Sequence, residues 1–69
     1  PQDPVLLEAC GDLARDDDEA EKARDFYARR VDAAPDAATF EKLAAVLERL
    51  GDNGAAMDAY RAGLKVANR

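Results

Sequence analysis

The sequence predicts an all-α fold of four helices, paired into two antiparallel helix-turn-helix hairpins that stack side by side. Three observations predict it. Apolar residues recur at intervals of three and four along most of the 69 residues, with no strand-like segment. N-cap residues, prolines and a helix-ending glycine cut the chain into four segments. The second half also falls on the first when shifted by 33 positions.

Asp3 followed by Pro4 reads as an N-cap and a proline at the first helical position, where a missing amide hydrogen costs nothing. The first helix is expected to run to about Arg15 on Leu6, Leu7, Cys10, Leu13 and Ala14. Asp16-Asp17-Asp18-Glu19 then offers caps and negative charge to the positive end of a second helix. A calcium loop is disfavoured there, because the further oxygen ligands at loop spacing are missing. The second helix carries Ala20, Ala23, Phe26, Tyr27, Val31 and Ala34 and stops at Pro35. Asp36 caps a third, built on Phe40, Leu43, Ala44, Val46, Leu47 and Leu50 and ended by Gly51. A fourth starts at Asp52 or Asn53 and extends near Ala67. Gly54 and Gly63 weaken it by up to about 1 kcal/mol each relative to alanine, so packing has to hold it.

Under the 33-residue shift, Ala23-x-Asp25-x-Tyr27 falls on Ala56-x-Asp58-x-Tyr60, Leu7 on Phe40, Cys10 on Leu43, Gly11 on Ala44, Leu13 on Val46 and Val31 on Leu64. Phe40-x-x-Leu43-Ala44-x-x-Leu47 then Ala56-x-x-x-Tyr60 resembles the tetratricopeptide repeat, as does Leu7-x-x-Cys10-Gly11-x-x-Ala14 then Ala23-x-x-x-Tyr27 and Pro35. The resemblance covers almost the whole chain, with one repeat at about 4–35 and a second at about 36–69. It implies a fragment of a right-handed α-solenoid, in which no hairpin buries its apolar face alone.

The chain departs from that pattern in three ways. Leu7, Phe40, Ala14 and Leu47 replace the usual large aromatics of the first helix. Arg30 stands where a small residue is usual, whereas Gly63 keeps that role in the second copy. The period is also one residue short of the family's usual 34, which places a tightened turn at Pro35 and Asp36.

Small residues at Gly11, Ala23, Ala44, Ala56 and Gly63 are expected to let helix backbones approach, with Tyr27, Phe40, Tyr60, Leu43, Leu47 and Leu64 wedged between them. The outer sides of the first and fourth helices are expected to stay incompletely covered. Tyr27 and Tyr60 read as core aromatics rather than recognition residues, so Tyr60→Ala is expected to cost about 3 to 5 kcal/mol. Cys10 reads as a small hydrophobe in a helix interface.

Composition narrows the function. The net charge of −5 carries no basic cluster set apart from acids, so nucleic-acid binding is not expected. The absence of His and Ser removes the Ser-His-Asp and Cys-His arrangements that activate a nucleophile, and one cysteine without imidazoles cannot supply the usual tetrahedral zinc ligand set. A non-enzymatic role without cofactor or metal follows as an expectation. An acidic carrier protein is excluded by the missing serine for its prosthetic arm. No apolar run reaches membrane-spanning length, and a soluble, cytoplasmic domain is expected, with an alanine and arginine bias like that of bacterial repeat proteins. The start at Pro1 suggests a segment of a longer protein.

The family resemblance implies a scaffold whose first helices line a concave groove for a peptide or a partner's helix. Carried over position by position, the groove residues are Glu8, Asp12, Arg15, Glu41, Lys42, Ala45, Glu48 and Arg49. Family members that grip a C-terminal carboxylate place Lys and Asn in this groove. Glu8, Asp12 and Lys42 here make such a clamp improbable and favour a neutral or basic ligand. Self-assembly through the terminal helices, or service as an accessory to an enzyme outside this chain, are the alternatives.

Overall fold

In a computed structural model the chain is all-helical. The structure describes residues 3–68; Arg69, the last position assigned to the second repeat, lies outside them. Among the described residues four helices follow in order: α1 (Pro4–Asp16), α2 (Ala20–Ala33), α3 (Ala37–Arg49) and α4 (Asn53–Ala67).

Caps set most of these boundaries. The Asp3 carboxylate accepts from the Val5 amide at 2.9 Å, Asp36 from the Thr39 amide at 3.1 Å and Asp52 from the Ala55 amide at 3.2 Å. Each satisfies an amide that has no partner within its own helix. The acidic stretch before α2 behaves differently from the expectation. Glu19 occupies the N-cap without a side-chain cap bond and pairs with Lys22 at 2.8 Å, and Asp18 takes a left-handed conformation with φ 61° to make the turn. Gly51, with φ 81°, makes the corresponding turn between α3 and α4, a conformation that costs glycine little.

Each helix packs on the next in chain order, and side-chain contacts fix their directions. In the first hairpin Glu8 meets Arg30 and Asp12 meets Tyr27, so the numbers rise on α1 as they fall on α2, and the two helices are antiparallel. Between hairpins Lys42 meets Glu8, and Arg49 meets Asp18, so α1 and α3 run parallel. The Cα atoms fill a slab 32 × 30 × 15 Å, whose short dimension is that of two helix layers at ordinary packing distance.

Small residues lie at the close approaches. Ala23, Ala44, Ala56, Gly11 and Gly63 are all buried. The Tyr27 ring lies against Gly11, so a Cβ there would stand 2.5 Å from the ring's Cε1. Tyr27 is fully buried and cannot swing away. Gly11→Ala is therefore expected to destabilise by about 1 to 3 kcal/mol despite the better helix propensity of alanine. At Gly63 a Cβ would meet the Phe40 Cβ at 3.1 Å, a crowding that a few tenths of an ångström relieves. Gly63→Ala is expected to be within about 1 kcal/mol of neutral. Thermal unfolding of the two variants followed by circular dichroism checks the contrast.

The core consists of Ala14, Ala23, Tyr27, Val31, Leu43, Ala44, Val46, Leu47, Ala56 and Ala59, with Phe26, Phe40 and Leu50 packed against it. Two residues expected in it lie outside. Tyr60 is 38% exposed and Leu64 63% exposed. Tyr27 sinks in because Gly11 has no side chain, whereas Ala44 sets a methyl at the equivalent place. The following hairpin covers the outer side of α2, whereas α4 packs on α3 and among the described residues no helix covers its other side. Tyr60→Ala is accordingly expected to cost about 1 kcal/mol, not the 3 to 5 of a buried ring. On α1, Leu6 and Leu13 also face outward, 62% and 66% exposed, while Leu7 and Ala14 are buried.

Candidate functional site

The eight residues assigned to the groove divide into two groups. Glu8, Asp12 and Lys42 come together in an ionic cluster that ties α1 to α3. Lys42 Nζ donates to Glu8 Oε2 at 2.8 Å and to Asp12 Oδ1 at 3.2 Å. Glu8 Oε1 also accepts from Arg30 Nε at 3.1 Å and from the Thr39 hydroxyl at 2.7 Å. Asp12 Oδ1 accepts from the Tyr27 hydroxyl at 2.5 Å. These are charge-assisted bonds on partly covered side chains, and they lock the hairpins in register.

Electrostatics follow from the geometry. The bond from Lys42, then that from Thr39, lowers the Glu8 pKa to about 2 against the opposing effect of burial. The same bond to Glu8 raises the Lys42 pKa. Burial, then the bond to Asp12, raises that of Tyr27.

Arg30 explains its own departure from the repeat pattern. It donates to Glu8 and to the Ala34 carbonyl and lies 3.8 Å from Asp36, which braces the tight turn between hairpins. The Thr39 hydroxyl oxygen also lies 2.8 Å from Asp36 Oδ2, so its single proton is shared between the Glu8 and Asp36 carboxylates. Thr39 is fully buried, and among the described residues no buried side-chain N or O atom lacks a hydrogen bond. Neither Thr39 nor Arg30 was among the groove residues. The available signal was register: Thr39 is a polar residue at the position equivalent to Leu6, and Arg30 at that of Gly63.

The remaining five positions do not join the cluster's centre. Arg15 borders it, 3.6 Å from Asp12, and donates to Asp16 at 3.2 Å; the bond to Asp16 raises its pKa. Arg49 reaches Asp18 at 2.9 Å on the surface. Glu48 accepts from the Tyr60 hydroxyl at 2.6 Å, a bond that raises the tyrosine's pKa. Ala45 and Glu41 are exposed. Cys10 is partly buried on α1.

Beside α3 and α4 lies a groove of about 200 Å³ lined by Ala37, Glu41, Tyr60, Gly63, Leu64 and Ala67. With Met57, the apolar residues Tyr60 and Leu64 form an uncovered strip on α4, and Val5, Leu6 and Leu13 form another on α1. Among the described residues no group of His, Cys, Asp and Glu side chains gathers as a metal site, and no helix is long and apolar enough to cross a membrane.

These features define an all-helical protein of two stacked hairpins, with an internally neutralised ionic seam and apolar strips on both end helices. No family model, curated protein or solved structure matches the chain.

Proposed function

We propose that the chain is a non-catalytic protein-interaction module of the tetratricopeptide-repeat kind, accepting a peptide or a partner's helix on surfaces the two hairpins leave open. One observation carries this reading: each end helix exposes positions whose repeat equivalents are buried between the hairpins. Leu6 and Leu13 are exposed, whereas Thr39 and Val46 at the equivalent positions are fully buried. Tyr60 and Leu64 are exposed, whereas Tyr27 and Val31 are buried. Uncovered strips of this composition mark protein contacts. The groove residues that stay accessible, Glu41, Ala45, Glu48 and Arg49, add a mixed, mildly acidic border. Glu8, Asp12 and Lys42 contribute by holding α1 against α3 and act on binding only through that scaffold.

Light scattering over a wide concentration range, combined with nuclear magnetic resonance titration against a panel of amphipathic helical peptides, tests the reading. The expected result is a monomer whose amide shifts move on α1 or α4 in a peptide-dependent way. A chain that dimerises through these helices and ignores every peptide would support the assembly role instead.

A further inference from the structure

The groove beside α4 is the second copy of a place that is filled in the first. Shifted back by 33, its lining residues Ala37, Glu41, Tyr60, Gly63, Leu64 and Ala67 become Pro4, Glu8, Tyr27, Arg30, Val31 and Ala34. None of the latter six is exposed, while four of the former six are. What fills the first copy is visible: α3 lies there, bringing the Lys42 ammonium and the Thr39 hydroxyl to Glu8, and Arg30 adds its guanidinium from α2. In the second copy glycine replaces that arginine. Among the described residues no hydrogen bond or ion pair holds the Glu41 carboxylate.

We propose that this groove seats a helix of a partner protein that brings a lysine or arginine to Glu41 and lays aliphatic side chains on Tyr60 and Leu64. The claim rests on the interaction-module reading and adds the partner's chemistry. Charge decides the occupant. A second copy stacked as α3 stacks on the first hairpin would present α1, where Leu6 and Ala9 stand in place of Thr39 and Lys42, and Asp16 in place of Arg49. That arrangement would bury the Glu41 carboxylate against apolar side chains without a donor, which is costly. A cationic helix supplies the missing donor, and the net charge of −5 favours its approach.

The probe is an acetylated and amidated peptide of residues 36–50, the chain's own α3, titrated into the full chain and followed by amide shifts. Expected shifts centre on Glu41, Gly63 and Leu64. The same peptide with Lys42→Glu is expected to bind about tenfold more weakly, and Glu41→Lys in the protein to restore that peptide's binding while weakening the original. Glu41 is exposed, so the variant is expected to keep the parent circular dichroism spectrum. Equal binding of both peptides, or no shifts on α3 and α4, overturns the proposal. Shifts confined to Leu6 and Leu13 overturn this site yet leave the interaction-module reading standing. Concentration-dependent dimerisation abolished by Leu64→Asp would assign the face to a second copy and overturn it as well.

Discussion

Tyr27→Ala is expected to destabilise the protein by about 3 to 5 kcal/mol, which leaves a chain of this size largely unfolded at room temperature. The ring is fully buried, lies against Gly11 and belongs to the central apolar cluster. Removing it opens a cavity that backbone contact at Gly11 cannot close. It also takes away the hydroxyl that donates to Asp12 at 2.5 Å. Tyr27→Phe separates the two effects, with an expected loss of about 1 to 2 kcal/mol from the hydrogen bond alone. Urea denaturation of both variants beside Tyr60→Ala checks the ranking. Equal losses at the two alanine variants would contradict the different burial of two residues that the repeat makes equivalent.

Acid is expected to loosen the seam between the hairpins through Glu8. Its carboxyl group falls from 4.5 to about 2 because Lys42, Thr39 and Arg30 all donate to the ionised form. A carboxylate depressed on folding stabilises the native state fully above the unfolded value and loses that contribution as pH falls through the folded one. The window is therefore about pH 4.5 down to about 2. The full shift is equivalent to about 3 kcal/mol, and water still reaching Lys42 reduces this to about 2. Glu8→Gln is expected to lower stability at neutral pH by about that amount and to flatten the acid limb over the same window. Chemical denaturation at a series of pH values measures both. A variant that keeps the parent's acid limb would show that the pH dependence arises from other carboxylates.

The helices themselves were legible because their signals are local. Asp3, Asp36 and Asp52 sit one residue before each helix that they cap, and Gly51 supplies its positive φ without help from tertiary structure. The placement of small residues was also readable, since Gly11 stands at helical spacing from Leu7 and Ala14, and Gly63 from Ala56 and Ala59, on the buried faces of their own helices. Tyr60 was misjudged for a physical reason. Periodicity tells which residues share a face, but burial of that face depends on a neighbour, and among the described residues none follows α4 to cover the side away from α3.

The ionic cluster was half legible. Glu8, Asp12 and Lys42 were placed on one surface by their repeat positions, and α1 and α3 do bring them together. Their mutual pairing was hidden because they lie 30 and 34 residues apart, and nothing local couples a side chain on α1 to one on α3. Thr39 and Arg30 complete the cluster and could be suspected only from their mismatch with Leu6 and Gly63. Glu41 became informative by the same comparison, as the counterpart of Glu8 that lacks both of its cations.

The side-by-side arrangement of the hairpins underlies both the buried seam and the uncovered end faces. A nuclear Overhauser spectrum of the isotopically labelled chain tests it most directly. The structure predicts cross-peaks from the Glu8 side-chain protons to those of Thr39 and Lys42, together with Gly11 to the Tyr27 ring. Cross-peaks confined within each hairpin, with none from α1 or α2 to α3, would contradict it.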